Sequence, residues 1–267
     1  MDVFFVLMKL NIRIVLQYKK SLAVSIISDP IVILMVSVCF KAIYSNIQDN
    51  EVLGYSLSQM IWYFAGATLI WFCVWNSVDS NISNKVLSGD LSVDLLKPVY
   101  LFNIEFVNAL SSRLISFFIE FIPCAVIFGL IVFPDFITVY ACIKFIVLSI
   151  GSFVLYFIIN YIIGITSFYI KSNYSLQSLR IFLITLSSGA MIPLEFYPAV
   201  FRKILSVLPF QYMFYWPIQM LMNRDSVKGY IVFTKIIGMQ FLWIVVLYFI
   251  GRLFWNRAIK KYCAAGG

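Results

Sequence analysis

Apolar blocks separated by short polar intervals run the length of the chain, near residues 22–43, 57–75, 104–133, 139–168, 175–193 and 230–250. Each approaches or exceeds the roughly 20 residues an apolar helix needs to cross about 30 Å of hydrocarbon. The pattern predicts six spans and puts both termini on one side. The Asp29–Pro30 pair is expected in the first turn of the first span, where proline costs least. Pro134–Asp135 ends the third span, because proline lacks an amide donor and restricts the residue before it. The fourth block is oversized for one crossing and predicts tilt or protrusion.

Three stretches depart from that alternation. Residues 2–20 carry Lys9, Arg13, Gln17 and Lys20 along one helical stripe and Phe5, Met8, Ile12 and Val15 on the other side. This predicts an amphipathic interfacial helix over 1–20; the alternative is the opening of the first span. The longest polar interval, residues 76–103 (NSVDSNISNKVLSGDLSVDLLKPVYLFN), reads as a short helix, a Gly89–Asp90 break and a second amphipathic segment ending at Pro98. Its apolar face, Leu91, Leu95 and Leu96, is too small to hold an isolated helix together. Docking in a partner's groove supplies the missing burial, and resting on lipid is the alternative. In residues 194–229, Phe201, Ile204, Leu205 and Leu208 keep helical spacing; Pro209 breaks that helix, and Pro217 interrupts the aromatic run from Phe210 to Met222. Two short helices re-entering the outer leaflet fit, provided protein or a wet cavity satisfies their backbone.

Composition sharpens the picture. The 267 residues are 62% hydrophobic and only 12% charged, with a mean hydropathy of +0.94, whereas a soluble domain is about a quarter charged. The fold class is therefore an all-α integral membrane protein, since the weak alternating segments of a β-barrel are absent. The net charge of +8 comes mainly from residues at segment ends, which describes membrane topology rather than nucleic-acid binding. The larger share of the 20 Lys and Arg residues falls on the side of the termini, which places both termini in the cytosol. Residues 21–267 form one transmembrane domain whose cytosolic tail begins near 251.

The residue inventory excludes most chemistry. With no histidine and five scattered cysteines, neither a metal site nor a disulfide framework is indicated, and a Ser–His hydrolase cannot form. There is no phosphate-binding G-x-x-x-x-G-K-[ST] run, so any nucleotide chemistry resides on another chain. Glu105, Arg113 and Glu120 stand out because charge at membrane depth usually faces protein or water with a partner. Arg113 and Glu120, seven residues apart, project from nearly one helical face. They either line a translocation path or form an interhelical contact, and Glu105 is expected at the headgroups. Glu195, just after Pro193, either guards an outer exit or is simply solvated.

Three motifs resemble a known group. They are L-S-G-D-L-S-V-D-L-L-K-P at 87–98; S-G-A-M-I-P-L-E-F-Y-P at 188–198 running into L-P-F-Q-Y-M-F-Y-W-P-I-Q-M at 208–220; and the basic tail R-A-I-K-K-Y-C-A-A-G-G at 257–267. In order and spacing they are similar to a type-2 ABC exporter permease of the bacterial six-span group, which works with a sister permease and a separate ATPase. Cys263 departs from the small or polar residue expected there. The resemblance implies that residues 80–98 are a coupling helix seated in an ATPase subunit, with Gly89, Asp90, Leu91, Asp94, Leu95, Leu96 and Pro98 at the contact. It implies outer helices that shape an exit, with Pro193, Glu195, Pro209 and Pro217 as the outer gate. It also implies a location in the bacterial inner membrane, ATP and Mg on the partner, no cofactor on this chain, and a second permease chain beside it. An amphipathic, drug-like, lipid or peptide cargo would leave the cytosol or inner leaflet, and the 18% aromatic content suits one. An import permease and a non-transporting scaffold or immunity protein are the rival readings.

Overall fold

The computed structural model describes residues 2–17, 19–46, 51–170, 173–224, 227 and 229–261. The expected return of the chain through Lys171–Ser172 and the terminal thiol Cys263 lie outside the described residues. Among the described residues the fold is α-helical apart from a two-stranded hairpin: α1 (Asp2–Gln17), α2 (Lys19–Tyr44), β1 (Glu51–Val52), β2 (Tyr55–Ser56), α3 (Leu57–Val74), α4 (Val78–Ser88), α5 (Leu91–Leu95), α6 (Leu101–Ser116), α7 (Ile122–Ile131), α8 (Val139–Ile165), α9 (Tyr174–Ser187), α10 (Ala199–Leu205), α11 (Tyr215–Leu221) and α12 (Tyr230–Ala258). Four stretches among the described residues, Leu57–Ser88, Leu101–Ile131, Val139–Phe168 and Tyr230–Lys261, are long and apolar enough to cross a membrane.

Local chemistry starts and stops these helices. Ser56 and Gln59 form a reciprocal capping box at the head of α3, Gln59 N donating to Ser56 Oγ at 3.3 Å and Ser56 N to Gln59 Oε1 at 3.1 Å. Thr138 caps α8 by accepting from Ala141 N at 3.2 Å. The hairpin turns on Leu53 and Gly54, both at positive φ, antiparallel with Val52 opposite Tyr55. In the third block the helix is not continuous: a π segment, Phe117–Phe121, separates α6 from α7. Pro123, early in α7, has no amide for the preceding turn and its ring crowds the carbonyl there, so the backbone slips register just upstream.

α8 is the centre of the body and packs against α3, α4, α11 and α12. Leu148, Ser152, Leu155, Tyr156, Phe157 and Asn160 along it are fully buried. Ser149 and Ser152 donate to the carbonyls of Phe145 and Leu148 four residues back, so their hydroxyls are satisfied without solvent. Gln240 of α12 donates to Leu148 O at 3.0 Å and to Tyr212 O at 3.1 Å, joining α8, α12 and the turn before α11.

Several expected boundaries move. Asp29 and Pro30 lie inside α2 rather than in its first turn, because α2 begins at Lys19. α9 stops at Ser187, short of 193: Gly189 adopts φ +80°, its carbonyl accepts from Tyr63 OH at 2.5 Å, and the Ser188 carbonyl accepts from Tyr215 N at 3.0 Å. Those carbonyls serve neighbouring elements instead of another helical turn. α12 runs past 250 to Ala258, its Gly251 buried against Ile162 of α8. α1 has three sides rather than two. Met8, Asn11 and Ile12 are half-buried toward α6, with Asn11 Nδ2 donating to Asn108 Oδ1 at 2.6 Å, while Lys9 and Arg13 are exposed beside a separate exposed apolar strip that includes Leu10 and Ile14.

α4 and α8 approach each other closely at Gly164. A Cβ there would meet Ile82 Cδ1 at 2.9 Å and the Asp79 backbone at 3.2 Å. Gly164→Val is expected to lower stability by about 1–3 kcal/mol through overpacking, read as thermal unfolding in detergent. Gly129→Ala in α7, where a Cβ meets nothing within 4 Å, is expected to be neutral or mildly stabilising.

Candidate functional site

The polar interval 76–103 folds as two helices across a hydrogen-bonded turn. Gly89 takes φ +82°, a conformation that a residue with a side chain adopts only with strain; no atom lies near enough to exclude a side chain for bulk. Ser88 Oγ donates to Asp90 Oδ2 at 2.7 Å and Ser92 Oγ to Gly89 O at 2.6 Å. Lys85 binds the two helices to a third: its Nζ lies 2.7 Å from Asp94 Oδ2 on α5 and 2.6 Å from Glu105 Oε1 on α6. Lys97 adds a contact to Asp94 Oδ1 at 2.6 Å. Burial pushes the Asp94 carboxyl up, but the hydrogen bonds from Lys85 and Lys97 outweigh it and hold the carboxyl below its ordinary value.

The three leucines of this loop do not share a face. Leu91 is 0% exposed and anchors α5 from within, while Leu96 is 86% exposed and Leu87, Val93 and Leu95 are also uncovered. Asp90 and Pro98 lie on the exposed side and Gly89 is half-buried at the turn. Asp94 is the buried ion partner. Glu105, expected at the headgroups, is fully enclosed.

Behind this loop lies a second buried ion pair. Arg180 Nη2 of α9 stands 2.9 Å from Asp79 Oδ2 of α4, both almost fully buried. Arg180 also donates to Asn160 Oδ1, and Asn160 Nδ2 donates to Asn76 Oδ1 at 2.7 Å and to Asn76 O at 2.9 Å. The Arg180 guanidinium sits 5.3 Å from the centre of the Tyr156 ring. This network joins α4, α8 and α9.

Arg113 and Glu120 do share a site. A cleft of about 350 Å³ is lined by Trp71, Phe72, Trp75, Arg113, Ser116 and Glu120. Arg113 Nη1 donates to Phe72 O at 3.1 Å, which ties α6 to α3. Glu120, on the π segment, exerts its charge on Arg113 and also on Asp29 of α2.

At the other end, Glu195 is the centre of a hydrogen-bonded cluster. Tyr215 OH donates to its Oε1 at 2.6 Å and Tyr55 OH to its Oε2 at 3.1 Å, with Arg224 Nη1 3.6 Å from Oε1. Gln219 Nε2 donates to Tyr55 OH at 2.6 Å, and Arg224 lies 4.1 Å from the centre of the Tyr55 ring. Burial first, and then the Glu195 charge, make the Tyr55 hydroxyl much harder to ionise. Pro193 is buried beside this cluster; Pro209 opens a 3-10 turn and Pro217 sits in the first turn of α11, where no intrahelical acceptor is lost.

The amino-acid sequence matches the family described as ABC-2 family transporter protein over residues 9–266. The chain belongs to that family. Its members are membrane transporter permeases without catalytic activity of their own, so the protein is not an enzyme, and membership implies association with an ATPase. No curated protein sequence matches the chain.

In this ABC-2 permease the structure brings Arg113 and Glu120 together. It divides the loop residues between an inward set, Leu91 and Asp94, and an outward set, Asp90, Leu95, Leu96 and Pro98. Sequence reasoning missed Asp79, Lys85, Arg180, Tyr55 and Arg224 as site residues. Arg180 carried the one readable signal, a cation inside an apolar helix.

Lys85→Met strands the enclosed Glu105 and is expected to cost about 3–5 kcal/mol; adding Glu105→Leu should recover part of it, read as thermal unfolding of the purified permease. Because Asp94 binds its proton less readily folded than unfolded, its stabilisation is complete above an unfolded pKa of about 4 and is lost as pH falls through its lower folded value. The stability gap between wild type and Asp94→Asn should therefore close as pH is lowered toward 3.

Proposed function

We propose that the chain is the six-span permease subunit of an ATP-driven exporter in the bacterial inner membrane, with both termini cytosolic. α2, α3, α6–α7, α8, α9 and α12 serve as the six spans, and α1 lies at the interface. α5 and its neighbouring turn form the coupling element that docks in an ATPase subunit. A second permease chain, a sister or a copy, completes the pathway. The cargo is amphipathic, of the drug-like, lipid or peptide kind, and enters the Trp71–Arg113–Glu120 cleft sideways from the membrane.

The observation that carries this reading is an apolar tip on a braced support. Leu96 is 86% exposed at the end of a loop whose other side is locked by Lys85 to both Asp94 and Glu105. A loop resting loosely on lipid has no need of that clamp, whereas a lever must resist bending to move what lies behind it. Closure of two ATPase subunits on ATP would push α5; Lys85 passes the displacement to the head of α6, and the same helix carries Arg113 toward the π segment with Glu120. Pro193, Glu195, Pro209 and Pro217 belong to the outer elements that must part for release, with the Glu195 cluster as their closed-state lock.

Leu96→Glu and Leu95→Glu are expected to leave membrane insertion intact while lowering ATP-driven transport by the assembled complex at least about tenfold, the effect of losing one apolar anchor. The check is ATPase activity and cargo flux measured together in reconstituted vesicles. Normal flux with both substitutions would remove the docking role.

A further inference from the structure

A cavity of about 480 Å³ opens between the first turn of α6, the last third of α8 and the last third of α12. It is separate from the Arg113–Glu120 cleft, and nothing in the transport reading uses it. Its wall is aromatic: Phe102 stands edge-on to Tyr161 at 5.1 Å and to Tyr248 at 5.5 Å, and Trp255 lies 6.3 Å from Tyr161. Its rim is polar. Arg252, Asn103 and Asn256 all line it, all are exposed, and among the described residues none of the three side chains makes a hydrogen bond or ion pair.

We propose that this cavity binds the headgroup of an anionic phospholipid. The chemistry of the lining selects that ligand. A guanidinium flanked by two carboxamides offers a fork of donors to a phosphate diester. The phenol and indole groups stand where amphipathic rings favour the boundary between headgroups and acyl chains. The volume suits a headgroup with its glycerol backbone. Phe241, Leu242 and Phe249 are uncovered along α12 toward the middle of the bundle, a surface that acyl chains can cover and a free phosphate cannot use. Basic pockets between transmembrane helices are a recurrent way to hold such lipids. The buried Gly251 supports the geometry: without a side chain there, α12 closes on Ile162 of α8 and leaves the opening on the Arg252 side. This inference depends on the fold lying in a membrane and not on the direction or existence of transport.

The test uses the full chain in phosphatidylcholine nanodiscs, titrated with phosphatidylglycerol and read both by native mass spectrometry for retained lipid and by thermal unfolding. Phosphatidylglycerol should be retained and should raise the unfolding temperature. Arg252→Gln should weaken retention about fivefold, the worth of one basic contact to an anionic lipid. Arg252→Lys should keep most of it, and Arg257→Gln, outside the lining, should change nothing. Asn256→Leu gives a second weakening variant should Arg252→Gln fail to fold. Equal retention of phosphatidylcholine, or wild-type retention by both weakening variants, would overturn the proposal. Protection by glycerol phosphate equal to that by the lipid would make this an anion site and overturn the lipid assignment.

Discussion

A charged or polar side chain withdrawn into an apolar body must find its partner within the protein, and this constraint organises the molecule. Lys85 is placed by it between Asp94 and Glu105, Arg180 between Asp79 and Asn160, and Gln240 between two backbone carbonyls. Each of these groups joins separate elements. Apolar packing alone would leave the helices free to slide, since hydrocarbon side chains match lipid about as well as they match each other. The polar contacts choose one register.

The two ends of the bundle use the constraint differently. At the end that carries α4 and α5, the buried carboxylates Asp79, Asp94 and Glu105 are each held by a cation, Arg180 or the partly exposed Lys85, and the tip around Leu96 stands exposed beside them. At the opposite end, Glu195 is half-buried and gathers Tyr55, Tyr215 and Arg224 from the hairpin, α11 and the loop beyond it. Between the ends, the irregular stretch at Phe117–Phe121 sets Glu120 on a backbone that deviates from ideal helix, with Arg113 one regular turn and more below it.

Much of the local architecture was legible in residue order. The blocks near 57–75 and 139–168, the two helices around Gly89, the end of the third block at Pro134 and the broken helices after 194 all follow from periodicity, from proline's missing donor and from glycine's freedom at positive φ. The misreadings were also local in origin. Leu91, Leu95 and Leu96 looked like one face because a five-residue helix gives too little pattern to separate inward from outward. α9 looked longer because nothing near Gly189 reveals that the Tyr63 hydroxyl donates to the Gly189 carbonyl and the Tyr215 amide to the Ser188 carbonyl.

Residue order by itself determined the apolar lengths, the breaks between them and the exclusion of chemistry that needs histidine or a phosphate loop. Membership of the ABC-2 family agrees with that outline. The pairing of polar groups was settled by the tertiary structure alone: Tyr55 with Glu195 across 140 residues, Asn160 with Asn76 across 84, Lys85 with Glu105 across 20. The reason is geometric. Periodicity along one helix tells which side faces away from lipid, but the identity of the helix that fills that side, and the height at which it does so, depends on the mutual packing of all of them.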